Sequence, residues 1–268
     1  MNRVFHSAKT LRGLLAVVFC VLAPAFALAG SQPASDLLPR VREQVSGYLE
    51  QFSEVKCTER VKQEKLKANS KVELQHDSTY DYLVILTNSG GEVSLDESRL
   101  AVGESKVDKK NRPLLVSNGF ATLFLIFHSY YAESFGFTLG ETEVVDGHSY
   151  QKVSFQHLHG TRSPAALSLR GREYPLEMSG TAWVDPQTAT IAKIVTTVGN
   201  SMEDVGLKSL RSEIMYSPVT FHDPQATYWF PAQATVELET QRQHWRNTHT
   251  FVDYKRFAVS TEEKVASK

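Results

Sequence analysis

The chain has 268 residues, of which 41% are apolar, with 29 basic against 30 acidic side chains. A near-neutral balance without a run of Arg or Lys excludes a protein that grips nucleic acid, because phosphate contacts need clustered cations. Two cysteines and the absence of repeats or long Pro/Ser tracts exclude a disulfide-stapled or disordered chain and leave a globular one that rests on its hydrophobic core.

The first residues, MNRVFHSAKTLRG, place Arg3, Lys9 and Arg12 ahead of the apolar run Leu14 to Ala23, followed by Pro24 and Ala27-Leu28-Ala29. The run is too short to span a bilayer, and the small residues suit a signal peptidase. Residues 1–29 therefore read as a cleaved signal peptide, and the protein as periplasmic or secreted. Cleavage removes three basic and no acidic residues, leaving 26 against 30, a net of −4. Residues 30–268 read as one domain with a single cysteine, Cys57, whose expected role is that of a small buried apolar side chain.

In SQPASDLLPRVREQVSGYLEQF, Ser35 or Asp36 is a cap candidate and Pro39 lies in the first turn. Leu38, Val41, Val45, Tyr48, Leu49 and Phe52 follow at helical spacing. This predicts an amphipathic helix that docks one stripe on a sheet. From about residue 55 the period changes to two. TYDYLVILT, Asn88-Ser89-Gly90-Gly91 and EVSLDE predict a hairpin; GFTLGETEVV, Asp146-Gly147 and HSYQKVSFQHLH predict a second; SGTAWV, Asp185-Pro186-Gln187-Thr188 and ATIAKIVTTV predict a third. The segment LKSLRSEIMYSPVTF and the pair flanking 239–243 complete a meander of roughly nine to eleven strands. In the penultimate strand Tyr228, Phe230, Ala232, Ala234, Val236 and Leu238 form the buried set, and Pro231 is expected at a strand start or bulge. Within SNGFATLFLIFHSYYAESF, Asn118 caps a short inserted helix over 118–131 that is apolar nearly all round.

The chain contains no GxSxG, HExxH, GxxxxGK[ST] or GxGxxG, so no cofactor is implied and no catalytic residue is assigned. His157 and His159 lie two apart in a predicted strand on the face of Val153 and Phe155, a spacing that can present two imidazoles to a metal, but no further ligand is identifiable. His128 reads as a satisfied core histidine. Asp185, Glu141, Glu143, Asp146 and Asp253 sit in turns or on alternating faces, where carboxylates are normally solvated.

Residues 180–194, GTAWVDPQTATIAKI, carry a strand, an Asp-Pro turn and a second strand on Gly180, Trp183, Val184, Asp185, Pro186, Thr188, Ile191 and Ile194. With the N-terminal helix, the meander and the inserted helix, this resembles the superfamily of periplasmic lipoprotein carriers of the LolA/LolB type and the related RseB-type sensor domain. The resemblance covers most of 35–258, with extra sequence around YPLEM and at 199–210. It implies a mainly β, half-open antiparallel barrel whose apolar concave face is closed by helices and holds acyl chains, with the 118–131 helix as a lid. On that basis the expected function is a non-enzymatic, monomeric binding protein for a lipid or lipidated protein, in transient contact with a membrane surface. Phe120, Phe124, Phe127, Tyr130, Trp183, Trp245 and Phe251 are the cavity and lid candidates. The alternatives are an envelope interaction module with a self-filled core, and a metal-dependent hydrolase built on His157 and His159.

The stretch QRQHWRNTHTFVDYKRF divides at period two into Trp245, Asn247, His249, Phe251 and Asp253 against His244, Arg246, Thr248, Thr250, Val252 and Tyr254. Neither set is wholly apolar, which predicts a closing strand whose two faces both meet water in part.

Overall fold

A computed structural model describes residues 36–89, 92–102, 119, 121–169, 172–198, 202, 206–222 and 225–256. Residues 1–29, expected to be a signal peptide, lie outside the described residues, as do Asn118, Phe120, Gly90 and Gly91. Helix α1, Leu37–Phe52, forms where the sequence places it. Leu37, Val41, Val45, Leu49 and Phe52 make its buried stripe, while Asp36 occupies the cap position without a side-chain cap bond. Pro39 is tolerated because the first turn has no intrahelical use for its N–H.

Twelve strands follow among the described residues: β1 (Val55–Leu66), β2 (Val72–Ser89), β3 (Glu92–Ala101), β4 (Phe135–Val145), β5 (His148–His157), β6 (Ala166–Leu169), β7 (Arg172–Pro175), β8 (Met178–Val184), β9 (Ile191–Val198), β10 (Leu207–His222), β11 (Gln225–Thr240) and β12 (His244–Arg256). Ten of them form one antiparallel sheet in the order β3-β2-β1-β12-β11-β10-β9-β8-β5-β4, and β6 and β7 pair as a separate hairpin. The sheet is curved and does not close into a barrel. The extra sequence around YPLEM is thus the end of the β6–β7 hairpin and the start of β8. Among the described residues no helix is long and apolar enough to cross a membrane.

The turns obey local chemistry. Asp146 and Gly147, with φ of 50° and 80°, close β4 onto β5 as a two-residue hairpin requires. Between β8 and β9 the Asp185 carboxylate accepts the Gln187 and Thr188 N–H groups at 2.7 and 3.3 Å, and Ala189 takes φ 59°. Pro231 sits at a bulge: Met215 pairs with Gln233 but Tyr216 pairs with Pro231, leaving Ala232 as the extra residue.

The inner face is a continuous core. Val153, Ala182, Ile194, Ile214 and Ala234 lie in register across five strands at 0–1% exposure. Burial of each larger aliphatic side chain among them contributes roughly 1.5–3 kcal/mol. α1 covers one part of this face, with Phe52 stacked 5.5 Å from Phe230.

Three expectations are corrected. The 118–131 segment is not one helix but a 3-10 stretch, Leu123–Phe127, followed by one α turn, α2 (Ser129–Ala132). His128 between them is extended at φ −64° and ψ 142°, and its Nδ1 accepts the Tyr130 N–H at 3.2 Å, so the chain restarts rather than continues. In β12 one face does not meet water: Trp245, Asn247, His249 and Phe251 are all buried. Asp253 does not continue that set, because a bulge opposite Lys56 and Thr58, with Asp253 at φ 57°, shifts the phase. Tyr254 turns inward instead and donates to the Pro231 carbonyl at 2.7 Å.

Candidate functional site

A cleft of about 400 Å³ opens between α1 and the β9–β11 part of the sheet. Gln44, Val45, Tyr48 and Gln51 come from α1, Phe124 from the 3-10 stretch, Thr188 to Ile191 from the β8–β9 connection, Tyr216 from β10, and Thr227 to Trp229 from β11. Its inner wall is aromatic. The Tyr48 ring meets Phe124 edge-on at 4.4 Å, and Tyr216 stands 6.4 Å from both.

The walls are held by local chemistry. Arg40 on α1 donates to the Pro186 carbonyl at 3.0 Å and to the Gln187 carbonyl, tying the helix to the β8–β9 turn. That turn is braced by the Asp185 N–H to the Thr190 carbonyl at 2.9 Å and by the Ala189 N–H to the Asp185 carbonyl at 2.8 Å. The Tyr48 hydroxyl is buried and has no hydrogen-bond partner among the described residues. Burial, reinforced by Tyr216, pushes its pKa well above the ordinary tyrosine value, so it remains a protonated donor.

Of the sequence candidates among the described residues, only Phe124 borders this cleft. Phe127 is 1% exposed and packs on Phe137 and Phe155 at 5.2 and 6.0 Å. Tyr130 is half-buried, with the Arg162 guanidinium 4.3 Å above its ring. Trp183 faces away from the core set by Ala182 and Val184; it donates to Glu143 at 3.2 Å and lies under Lys193 at 5.1 Å. Trp245 and Phe251 lie on the inner face but elsewhere along it. Trp245 donates to Gln243 at 3.0 Å, and Phe251 packs 5.2 Å from Tyr82.

His157 and His159 do not share a face, because β5 ends at His157 and the chain turns away. His157 is buried with Nε2 donating to the Arg162 carbonyl at 2.8 Å, whereas His159 is exposed and paired with Glu177. Among the described residues no three His, Cys, Asp or Glu side chains are grouped to hold a metal ion.

The sequence reading missed a buried ionic cluster on β1, β3 and β12. Glu59, fully buried, accepts Arg99 Nε at 2.5 Å and Nη2 at 2.9 Å, and lies 2.7 Å from His249 Nδ1. Arg99 also reaches Glu97 at 2.8 Å, and Glu97 accepts the Gly119 backbone N–H. Burial pushes the Glu59 carboxyl up, but the hydrogen bonds from His249 and Arg99 outweigh it and hold the group below the ordinary value. For Glu97 burial wins and the pKa is raised. The available signal was phase: Glu59 alternates with Val55, Cys57 and Val61, and Glu97 and Arg99 with Val93 and Leu95, so all three carried charge on a buried set. Cys57, beside this cluster, is buried, and that burial pushes its thiol up to about 12.

A second groove of about 790 Å³ crosses β4, β5 and β8, lined by Thr138, Ser154, Gln156 and Thr181 with His157, His159 and Glu177. It is open and polar, without the enclosure of the α1 cleft.

No protein-family model matches the chain. No curated protein matches it in sequence. Among solved structures it is similar to a DUF1329 family protein from Desulfovibrio piger, at 12% identity and TM-score 0.42, covering 84% of this chain and 92% of that one. It is also similar to an outer membrane lipoprotein-sorting protein domain from Vibrio parahaemolyticus, at 11% identity and TM-score 0.40, covering 84% and 94%. A third likeness is to the lipoprotein LppX of Mycobacterium tuberculosis, at 11% identity and TM-score 0.25, covering 85% and 100%. At such identities and TM-scores they carry no function to this chain.

Proposed function

We propose that this is a non-enzymatic binding protein of the bacterial envelope that holds one acyl chain or a similarly slender amphiphile between α1 and β9–β11. The observation that carries this reading is the aromatic cleft of about 400 Å³, within the range of roughly 300–1,000 Å³ usual for small-molecule sites. Its apolar inner wall and Gln/Thr lining suit an apolar body with a polar end. Each buried methylene contributes about 0.8 kcal/mol, so ten to twelve give roughly 8–10 kcal/mol before ordering costs, enough for reversible carriage.

The test is native mass spectrometry of the purified protein, followed by titration with a panel of acyl probes read by fluorescence. Saturable uptake of about one equivalent supports the reading. A cleft that arrives empty and takes up no member of the panel sinks it.

A second reading, an interaction module with a self-filled core, is favoured by one observation: Leu123, Phe124, Ile126 and Phe127 are 0–2% exposed and occupy the inner face themselves. Failure of every probe together with capture of a defined envelope partner would select it.

A further inference from the structure

We infer that the tip of the β1–β2 hairpin and the β11–β12 turn beside it form a docking face for a bilayer that carries anionic headgroups. The face lies apart from the α1 cleft and does not depend on what the cleft holds. Thr227 to Trp229 line the cleft near the start of β11, whereas the docking turn follows Thr240 at its end.

The two tips are neighbours, because Leu66 of β1 pairs with His244 of β12. The hairpin also projects past β3, whose pairing with β2 runs only from Tyr80–Ala101 to Ser89–Glu92. Every residue from Lys67 to Gln75 is exposed.

Three observations meet on this face. First, positive charge is concentrated there: residues 65–72 and 240–246 hold Lys65, Lys67, Lys71, Arg242 and Arg246 and no carboxylate. They take five of the 26 basic residues in 30–268 and leave 21 against 30 acidic over the rest. The bordering carboxylates are already tied, Glu64 to Lys62 at 3.2 Å, Glu73 to Lys65 at 3.0 Å, Glu237 to Arg246 at 2.6 Å and Glu239 to Lys208 at 2.9 Å. Lys67, Lys71 and Arg242 form no ion pair among the described residues.

Second, Lys67 and Lys71 are directly opposed. The Lys67 N–H donates to the Lys71 carbonyl at 2.9 Å and closes a turn in which Ser70 takes φ 61°. Like charges facing each other across a hairpin are destabilising, and a phosphate between them replaces that repulsion with attraction. Third, Val72 and Leu74, next in the chain, are 46% and 41% exposed. A bilayer meets both features, its headgroups taking the cations and its interfacial layer the aliphatic side chains; an acidic polypeptide accounts for the cations alone.

The experiment is flotation of the purified protein with vesicles of phosphatidylcholine, alone or with phosphatidylglycerol at about one part in three. The wild type is expected to float with the anionic vesicles at low salt, to ignore the neutral ones and to be released at high salt. Lys67→Gln, Lys71→Gln and Arg242→Gln together are expected to weaken binding about tenfold or more. A charge-matched control at other exposed positions, Arg42→Gln, Arg60→Gln and Lys255→Gln, is expected to float as the wild type does. Both triple variants are expected to take up acyl probes like the wild type, so that loss of docking and failure of the cleft's binding role are read separately.

A wild type that ignores the anionic vesicles, or binds neutral ones equally well, overturns the inference even if it captures an acidic protein instead. So does a control that loses as much binding as the tip variant. Should the tip variant fail to fold, acetylation of the wild type decides in its place: anionic vesicles are expected to protect Lys67 and Lys71, and unchanged labelling of both overturns the inference.

Discussion

At the scale of single residues, the most consequential side chains are charges placed on a buried phase. Glu59 and Glu97 face one guanidinium, Arg99, yet their environments drive them apart. Burial raises the Glu97 pKa, so the folded state binds that proton more tightly than the unfolded chain does. Ionised Glu97 therefore costs stability above its folded pKa, and the cost is relieved as pH falls toward the ordinary value of 4.5. Glu59 has the opposite sign: its pKa is depressed, so its contribution is present above 4.5 and lost as pH falls through the folded value. Glu97→Gln is accordingly expected to raise the urea midpoint at pH 8, with the gain shrinking to nothing near pH 4.5. A variant less stable than the wild type at pH 8 would show that the Arg99–Glu97 contact outweighs desolvation. Glu59→Ala, which takes one of two carboxylates from the largely buried Arg99 guanidinium and removes the carboxylate beside His249 Nδ1, is expected to cost about 3–5 kcal/mol in urea melts at pH 7.

Among elements, the 121–132 segment joins the core to the cleft. Phe124 is 2% exposed, packs edge-on to Tyr48 and borders the cleft from inside. Phe124→Ala is expected to lower stability by about 3–5 kcal/mol, measured by urea denaturation, and to widen the cleft for bulkier probes. A loss below about 1 kcal/mol would mean that the segment rests on the sheet rather than filling it.

This segment also shows where sequence reading ends. Asp146-Gly147 and Asp185 to Thr188 were legible because turn geometry is set by adjacent residues, and α1 because its stripe repeats at helical spacing. Residues 121–132 are buried on nearly every side, so no period distinguished one helix from a 3-10 stretch broken at His128. The Glu59–Arg99–His249 cluster depends on β1 lying between β2 and β12, and strand neighbours so far apart in the chain leave no local trace. The lining of the α1 cleft was not legible for the same reason. Phe124 was found through its apolar neighbours, but Tyr48, Tyr216 and Trp229 converge only once α1 lies across β9–β11.

For the whole molecule, the decisive connection is the one that joins β1 to the last strand of the meander. β1 pairs with β12 from Val55–Arg256 to Leu66–His244, and His249 meets Glu59 across 190 residues of chain. All other pairings within the ten-stranded sheet, apart from β5 with β8, join strands consecutive in sequence. β12 therefore holds β3-β2-β1 against the remaining strands, and without it both β1 and β11 become open edges. Its inner residues also supply Trp245, His249, Phe251 and Tyr254 to the core. Such long-range closure must wait until loop entropy has been overcome, which places folding in roughly the millisecond-to-second range. A chain ending at Thr240 is expected to lose its cooperative thermal transition, expose hydrophobic surface to dye and bind no probe. If it melted cooperatively within a few degrees of the full chain, the six strands from β11 to β4 would have to be a self-sufficient unit. The α1 cleft would then be separable from the ionic cluster, since α1 could dock on β9–β11 without β12 beside them.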